Sequence, residues 1–252
     1  MLQSKLKKII ESECKNVAIF VDFDNIYYGL SEYGINLESE RYDIFYILNH
    51  LYDFDKIRQF NAFADFEQIK IPMKHLQTRR VSVNNVFGNS FYEKNRKNAS
   101  DIELSISAME TYYTNKKIDT FVFVTSDSDM IPIMHKLLLN GKKVHLYSVK
   151  ENSSEYITNF CTLSVDLIEF LDIDINRKNP EFWTNMIRGI FKEFYENPNY
   201  SNKLLTNKWL IERIQNKNHM SIQASSKLIQ SMIDLDIIEC TENNQFYGYK
   251  LK

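Results

Sequence analysis

The sequence predicts an α/β fold: a layered domain with a mostly parallel sheet, followed by a small α+β domain. Continuous apolar and β-branched runs at residues 17–21 and 119–125 are typical of strands buried on both faces, as in parallel sheets. Amphipathic stretches of helical period separate such runs through about residue 172, and this alternation indicates a parallel sheet. After the polar segment 172–180 the pattern becomes mainly helical.

The other elements of the first domain follow from the spacing of apolar residues. Residues 2–13 carry apolar side chains on one helical face, and a helix at 130–139 ends before Gly141, a usual residue at a helix C-terminus. Weaker patterns predict strands at 57–64, 81–87 and 143–148 and helices at 40–51 and 101–113.

The second domain is predicted from three helical stretches and a terminal pair of short strands. The helices are expected at about 180–196, 203–217 and 221–234, and the strands at 237–240 and 246–251, joined by turn residues 242–244. Three helices with a terminal hairpin are typical of a winged helix-turn-helix. We therefore expect an α/β domain at 1–172 and a winged-helix-like domain at 178–252.

Composition excludes several classes of protein. With 252 residues, 44% of them hydrophobic and 25% charged, the chain can bury a core and is not disordered. A net charge of -2 excludes a strongly basic nucleic-acid carrier, but not an enzyme that handles nucleic acid locally. The odd number of cysteines, far apart in the chain, gives no disulfide framework or metal-ligand pair.

With no membrane-length apolar run and no signal peptide, we expect a cytoplasmic protein without a membrane partner.

Carboxylates follow two of the predicted strands directly. Asp22 ends the first strand, and Asp127 and Asp129 follow the strand at 119–125. In parallel α/β sheets, ligands bind beyond the carboxyl ends of the strands, so these acids are expected at one edge. A third source of acid is Asp101, which the Ser-x-x-Glu pattern at 100–103 places in the first turn of a helix.

Four acids at one edge raise one another's pKa unless a cation compensates their charge. Mg²⁺ or Mn²⁺ prefers oxygen ligands, so we expect one of these ions at Asp22, Asp101, Asp127 and Asp129. Asn25 adds a neutral amide that can orient a ligand. The basic segment before Asp101 is suited to the phosphate backbone of a substrate, and its cations are Lys94, Arg96 and Lys97.

Each acid also has a structural explanation when it is taken singly. Asp22 can be a turn residue at a strand end. The helix dipole favours Asp101 in a first turn, and Asp129 can cap the following helix. The combination is more specific than its members, because independent acids have no reason to meet at one edge.

Three motifs in this order resemble the NYN family, a branch of PIN-like metal-dependent ribonucleases. They are the segments 21–25 (Val-Asp-Phe-Asp-Asn), 97–104, which begins with Lys97 and contains Asp101, and 125–130 (Thr-Ser-Asp-Ser-Asp-Met), followed by the Gly-Lys-Lys-Val at 141–144. Order and spacing agree over roughly residues 15–170. The resemblance implies a PIN-like three-layer α/β/α fold and endoribonuclease activity on RNA with Mg²⁺ or Mn²⁺.

Carried over residue by residue, the resemblance makes Asp22, Asp101, Asp127 and Asp129 catalytic, metal-binding acids, with Asn25 as the supporting polar residue. Two positions depart from the family pattern. Many members carry another Asp near the place of Ser107, and the glycine of the third motif is Ser126 here. The implied reaction is hydrolysis of an RNA phosphodiester by a metal-activated water. The absence of a credible Ser-His or Cys-His pair in the sequence favours this route over a covalent intermediate.

Other functions are compatible with parts of the sequence. The Asp22-x-Asp24 pattern opens the motif of haloacid-dehalogenase-type phosphatases, although two acids directly after the strand at 119–125 fit that family poorly. A catalytically weak RNA-binding or regulatory protein is a further alternative. The second domain can bind a protein or nucleic acid, and the cations available for the latter are Lys217, Lys227, Lys250 and Lys252.

Overall fold

The structure is a computed structural model that describes residues 2–67, 69, 73–86, 99–198, 200, 204–243 and 246–252. Residue contacts divide the chain into two compact units. The first comprises Met1–Gly29 and Tyr42–Asp172, and the second comprises Leu30–Arg41 and Ile173–Lys252. The domain bounds of 1–172 and 178–252 stay a prediction.

The first unit is built on a six-stranded, all-parallel sheet with strand order β3-β2-β1-β4-β5-β6. This confirms the α/β fold class that strand–helix alternation predicts. The strands, in chain order, are β1 (Val17–Asp22), β2 (Ile57–Ala64), β3 (Ser82–Asn85), β4 (Thr120–Val124), β5 (Lys143–Ser148) and β6 (Leu163–Asp166).

Helices cover both faces of this sheet. They are α1 (Leu2–Glu13), α2 (Phe23–Ser31), α3 (Ile44–Tyr52), α4 (Met73–Thr78), α5 (Ala99–Thr114), α6 (Ile131–Leu139) and α7 (Leu167–Phe170). Helix α1 contacts α3 and α7, whereas α5 contacts β1, β2 and α6. The α5 and α6 side buries an apolar core that includes Phe20, Phe121, Phe123, Leu104 and Met134.

The order of the strands reverses between β1 and β4, because the chain builds the sheet first on one side of β1 and then on the other. The two strands pair in register, and Val21 lies opposite Val124. Ligand sites of open parallel sheets occur beyond the carboxyl ends of the strands at such a reversal. Asp22 ends β1 at this place, one residue past the last pair.

The observed elements differ from the predicted ones mainly at their ends. Helix α3 begins at Ile44 rather than at residue 40, because the buried side chain of Asp43 caps it by accepting a hydrogen bond from the N–H of Tyr46 at 2.9 Å. Strand β3 ends at Asn85, and Phe87 of the predicted strand lies outside the described residues. Helix α2 and strand β6 were not predicted, since both are short and begin among turn-forming or polar residues.

The second unit contains three helices and an antiparallel pair of strands. These elements are α8 (Thr184–Glu196), α9 (Asn207–Asn218), α10 (Ile222–Asp234), β7 (Ile238–Asn243) and β8 (Phe246–Leu251). Residues 180–183 form a 3₁₀ turn before α8, and the hydroxyl of Thr206 caps α9. The core of the unit includes Trp183, Ile187, Phe191, Leu210 and Ile229. The winged-helix assignment stays a prediction.

Segment 30–41 packs within the second unit, although it lies between α2 and α3 in the sequence. The N–H of Asn36 donates to the carbonyl of His219 at 2.9 Å, and the Nε of Arg177 donates to the carbonyl of Tyr33 at 3.0 Å. Gly34 has a φ of +69°, and a Cβ at this position would lie 3.0 Å from the Cε of Met220. The second unit is therefore formed by two separate stretches of the chain.

Two tyrosines and a histidine form a buried polar cluster between α3 and β5. The hydroxyl of Tyr52 lies 2.8 Å from Nδ1 of His145 and 3.1 Å from the hydroxyl of Tyr147. Burial, helped by the charge of Lys143, lowers the pKa of His145 from 6.5 to about 4. The folded chain therefore keeps this imidazole neutral at pH values where an exposed histidine takes up a proton.

We predict that His145 makes the fold sensitive to acid. Because the pKa of His145 is lower in the folded chain, the unfolded chain binds the proton first, so the free energy of unfolding falls as the pH drops below 6.5 and levels off below about 4. Between pH 7 and pH 5 the loss from this group is about 2 kcal/mol. Urea unfolding at both pH values measures it. His145→Gln cannot gain the proton and should lose less stability over this interval, whereas an equal loss in both proteins would contradict the prediction.

Candidate active site

The hydroxyl of Thr125 joins the ends of β1 and β4. It donates a hydrogen bond to Oδ2 of Asp22 at 3.0 Å and accepts one from the N–H of Asp127 at 3.0 Å. Thr125 is fully buried and Asp22 is 2% exposed. One hydroxyl thus fixes both the side chain of the first motif and the backbone of the third.

A second connection between the same motifs runs through Asn25, in the first turn of α2. Its Oδ1 accepts a hydrogen bond from the N–H of Ser126 at 2.9 Å, while its own N–H donates to Oδ1 of Asp22 at 3.3 Å. The hydroxyl of Ser126 accepts in turn from the N–H of Val149 at 3.0 Å, just past β5. Asn25 therefore holds the loop after β4 against the start of α2.

Asp127 and Asp129 occupy the short turn that follows β4. Oδ1 of Asp127 accepts from the N–H of Asp129 at 2.8 Å, which makes Asp127 the cap of the 3₁₀ turn Ser128–Met130. Asp129 is exposed, and Asp127 is half-buried. Asp129 thus lies within the turn and is not the N-cap of the following helix.

Asp101 reaches the same edge from the first turn of α5, as predicted. A side-chain hydrogen bond joins it to Asp22, and Asp127 and Asp129 are close enough to act on its charge. Such a bond requires that one of the two carboxyl groups carries a proton. The structure therefore brings Asp22 and Asp101 into direct contact although 79 positions separate them in the sequence.

Burial and mutual repulsion make this cluster electrostatically costly. Burial is the largest cause that raises the pKa of Asp22, and the charge of Asp101 adds to it. Burial also raises the pKa of Asp101, followed by the charge of Asp127. Within the described part of the chain, no cation is among the groups that shift either pKa. The charge of these acids is therefore not compensated by a lysine or arginine that the structure describes.

The donor chemistry of the cluster fits a hard divalent cation. It offers carboxylate oxygens, closely spaced negative charge and the amide of Asn25, which are the groups that Mg²⁺ and Mn²⁺ accept. Among the residues that the structure describes, however, no three His, Cys, Asp or Glu side chains are grouped so that they could hold an ion together. The direct contact in the cluster is the hydrogen-bonded pair Asp22 and Asp101.

Several predicted positions have a different local setting or cannot be placed. Lys94, Arg96 and Lys97 lie outside the described residues. Ser100 is not the cap of α5, because this helix already includes Ala99. Ser107 accepts a hydrogen bond from Nδ2 of Asn61 at 3.2 Å, so its hydroxyl is turned towards β2.

Two residues at the site were not singled out from the sequence. Thr125 opens the third motif, but nothing in the sequence distinguishes its hydroxyl from that of any strand-end threonine. Asp24 is 5% exposed, and its Oδ2 accepts from the N–H of Asp65 at 3.0 Å, which ties α2 to the end of β2. Burial raises the pKa of Asp24 as well. The Asp22-x-Asp24 pattern, which the sequence analysis connected only with phosphatases, is the signal that could have identified it.

Two of the four lysines considered for nucleic-acid binding in the second unit are paired with acids. Lys217 contacts Glu193, which also lies 3.4 Å from Arg213, and Lys252 contacts Asp236. Lys227 and Lys250 form no ion pair with any residue in the described ranges. The positive charge available on this unit is therefore reduced.

No helix among the described residues is both long and apolar enough to cross a lipid bilayer.

A family model, a protein of known sequence and a solved structure are each similar to part of this chain. The model of the NYN domain family matches residues 16–169. An uncharacterized protein of Methanocaldococcus jannaschii is 26% identical over 123 residues, which are 48% of this chain and 50% of that protein, so the match spans about half of its length. A crystal structure of a protein of unknown function from Vibrio parahaemolyticus aligns with a TM-score of 0.49 and 19% identity, over 61% of this chain and 93% of that one.

The family match includes both strand ends and the helix start that carry the acids, and it covers more than half of the chain. This chain belongs to the NYN domain family, whose members are nuclease-like.

Proposed function

We propose that this protein is a metal-dependent endoribonuclease that hydrolyses phosphodiester bonds of RNA with a metal-activated water. The observation that carries the proposal is the hydrogen bond between buried Asp22 and half-buried Asp101 at the strand-order reversal of the sheet, with Asp127 and Asp129 close enough to act on the charge of Asp101. Buried acids without a described cationic partner weaken a fold, so a functional ligand is the simplest reason for their convergence.

The four acids would hold the ion, and Asn25 and Thr125 would position them. A bound Mg²⁺ or Mn²⁺ supplies positive charge against the phosphoryl oxygens and lowers the pKa of a water. Asp22 is buried, and Asp101 and Asp127 are half-buried, whereas Asp129 is exposed and suited to orienting the attacking water. We assign Lys94, Arg96 and Lys97 to the phosphates that flank the cleaved bond.

A catalytically weak RNA-binding or regulatory protein is the second candidate. The observation in its favour is that, within the described residues, no three acids are grouped around a common point. It requires that the wild-type protein binds RNA without cleaving it. The phosphatase alternative has less support, because acids follow the strand at 119–125 at once, a pattern that fits that family poorly.

We expect RNA cleavage to depend on a divalent cation and on the two central strand-end acids. Asp22→Asn and Asp127→Asn should each lower the cleavage rate by about 100-fold or more, since each removes a negative charge from the proposed ion. EDTA should abolish cleavage by the wild type, and added Mg²⁺ or Mn²⁺ should restore it. Gel analysis of single-stranded and structured RNA provides the measurement.

Stability separates a catalytic role from a structural one in the same variants. Asp22→Asn keeps an acceptor for Thr125 and removes repulsion from Asp101, but it loses the acceptor for the N–H of Asn25, so its free energy of unfolding should stay close to that of the wild type. Exposed Asp55→Asn serves as the control, with unchanged cleavage. Cleavage that resists EDTA and survives both substitutions would refute the proposed function.

We expect the hydroxyl of Thr125 to be required for activity. Thr125→Val keeps the shape of the side chain but leaves Asp22 without this donor and the N–H of Asp127 without its acceptor. A hydrogen bond to a charged group contributes about 1.5–3 kcal/mol, so cleavage at saturating metal should fall roughly 10- to 100-fold. Thr125→Ser retains the hydroxyl and should stay near the wild-type rate. Equal rates for the Val and Ser variants would remove Thr125 from the site.

A further inference from the structure

A column of exposed rings begins on the solvent side of α3 and continues past its end. Tyr46 and His50 are one turn apart on α3, and Phe54 follows the helix, beyond Asp53, whose φ is +67°. Ring centroids are 4.0 Å apart for Tyr46 and His50, and 5.7 Å apart for His50 and Phe54. Tyr46 is 43% exposed and Phe54 is 37% exposed. The column therefore offers aromatic surface that the fold itself does not bury.

Two arginines from the end of α4 lie against this column. The guanidinium carbon of Arg79 is 5.1 Å from the ring centroid of Tyr46, and that of Arg80 is 5.1 Å from the ring centroid of Phe54. Arg79 is also held by the carboxylate of Asp43, at 2.8 Å. We name the five residues Tyr46, His50, Phe54, Arg79 and Arg80 the aromatic–basic face.

Arg80 occupies a backbone conformation that does not favour arginine. Its φ is +58°, and the hydrogen bonds from Arg80 to Gln77 and from Val81 to Leu76 form the usual C-terminal motif of a helix, in which this position is most often glycine. Arg80 forms no ion pair with any residue that the structure describes. Its guanidinium is thus held over an exposed ring while its charge is free for a ligand.

A cavity of about 280 Å³ opens beside the column, between α1 and α3. Gln3 and Lys7 line it from α1, and Tyr46 and His50 line it from α3. Its walls thus combine two rings, an amide and an ammonium group. A planar, polar-edged group such as a nucleobase can stack on the rings and hydrogen-bond at its edge.

Packed rings link the start of α3 to the strand end that carries Asp22. Phe23 directly follows Asp22, its ring centroid lies 5.2 Å from that of Phe45, and Phe45 directly precedes Tyr46 in α3. The described acids repel phosphate, whereas affinity for nucleic acid comes mainly from cations and, for single strands, from stacking. A strand whose phosphodiester reaches the acids therefore needs such a surface close by.

We propose that the aromatic–basic face binds single-stranded RNA, with bases stacked on Tyr46 and Phe54 and a phosphate bound by Arg80. Charge favours this occupant, because the face presents guanidinium groups to a polyanion and its rings accept any base. The proposal rests on RNA as the substrate class proposed above, but not on cleavage.

The test is binding of a fluorescently labelled oligouridylate of about 12 nucleotides, measured by anisotropy in EDTA with the full chain. Arg80→Gly suits the positive φ and removes only the side chain, so the fold should remain intact. We expect Arg80→Gly to reduce the slope of the logarithm of RNA affinity against the logarithm of salt concentration by about 0.7, because one phosphate contact is lost. Tyr46→Ala and Phe54→Ala should each weaken binding at least about fivefold. Tyr113→Ala is the matched control. Tyr113 lies on α5, is 59% exposed and has the ammonium group of Lys116 over its ring, and it is about 18 Å along the helix from Asp101. Its replacement should leave the affinity for RNA unchanged.

Cleavage of the same RNA, assayed in parallel with Mg²⁺, separates the two proposals. If the three variants bind RNA as the wild type does while Asp22→Asn still abolishes cleavage, the aromatic–basic face is not an RNA surface and the nuclease proposal stands. If the wild type cleaves the RNA with Mg²⁺ but does not bind it in EDTA, the aromatic–basic face is not an RNA surface and the nuclease proposal stands, whereas both proposals fail if it neither binds nor cleaves RNA. If the variants keep the wild-type affinity for RNA but differ from the wild type in the molecular mass measured by sedimentation, the face is a protein interface and the RNA proposal is overturned.

Discussion

The site depends on the in-register parallel pairing of β1 with β4. Because Val21 lies opposite Val124, the next residues along the two strands, Asp22 and Thr125, meet at the carboxyl edge. A shift of one residue would turn every side chain of one strand to the opposite face and separate the two. The continuous apolar sequence of both strands buries them on both faces, and this burial holds the register that brings the motifs together.

The burial that fixes the register also makes the charged forms of the acids energetically unfavourable. Asp22 and Asp24 lie in surroundings that disfavour their charged forms, and hydrogen bonds from Thr125, Asn25 and the backbone of Asp65 offset only part of this cost. A site of this kind exchanges stability for function, which is common where carboxylates must remain close together without a protein cation. The fold supplies rigid donors around the cluster and leaves its charge for a ligand.

The sequence reveals most of the α/β unit because its strands are continuous apolar runs and its helices are amphipathic. The predicted ends of the strands and the predicted start of a helix also place Asp22, Asp127 and Asp101 at one edge of the sheet without coordinates. It does not reveal α2, whose first residues are ordinary turn formers, nor the role of Thr125, which is visible only when β1 and β4 are paired. It also misses the association of segment 30–41 with the C-terminal helices, because no local pattern encodes contacts with residues as distant as His219.

The discontinuous second unit has a consequence for biosynthesis. Tyr33, Ile35 and Leu37 are buried, yet Arg177 and Met220, which contact this segment, are made much later. At about 5–20 residues per second, the ribosome needs on the order of 10–40 s to reach Met220 after it has passed residue 41. During this interval the nascent chain carries an apolar segment without its native neighbours, next to helix α2, which begins at Phe23. Such a segment is a natural target for a chaperone, and a truncated chain that ends near residue 172 would keep it exposed permanently.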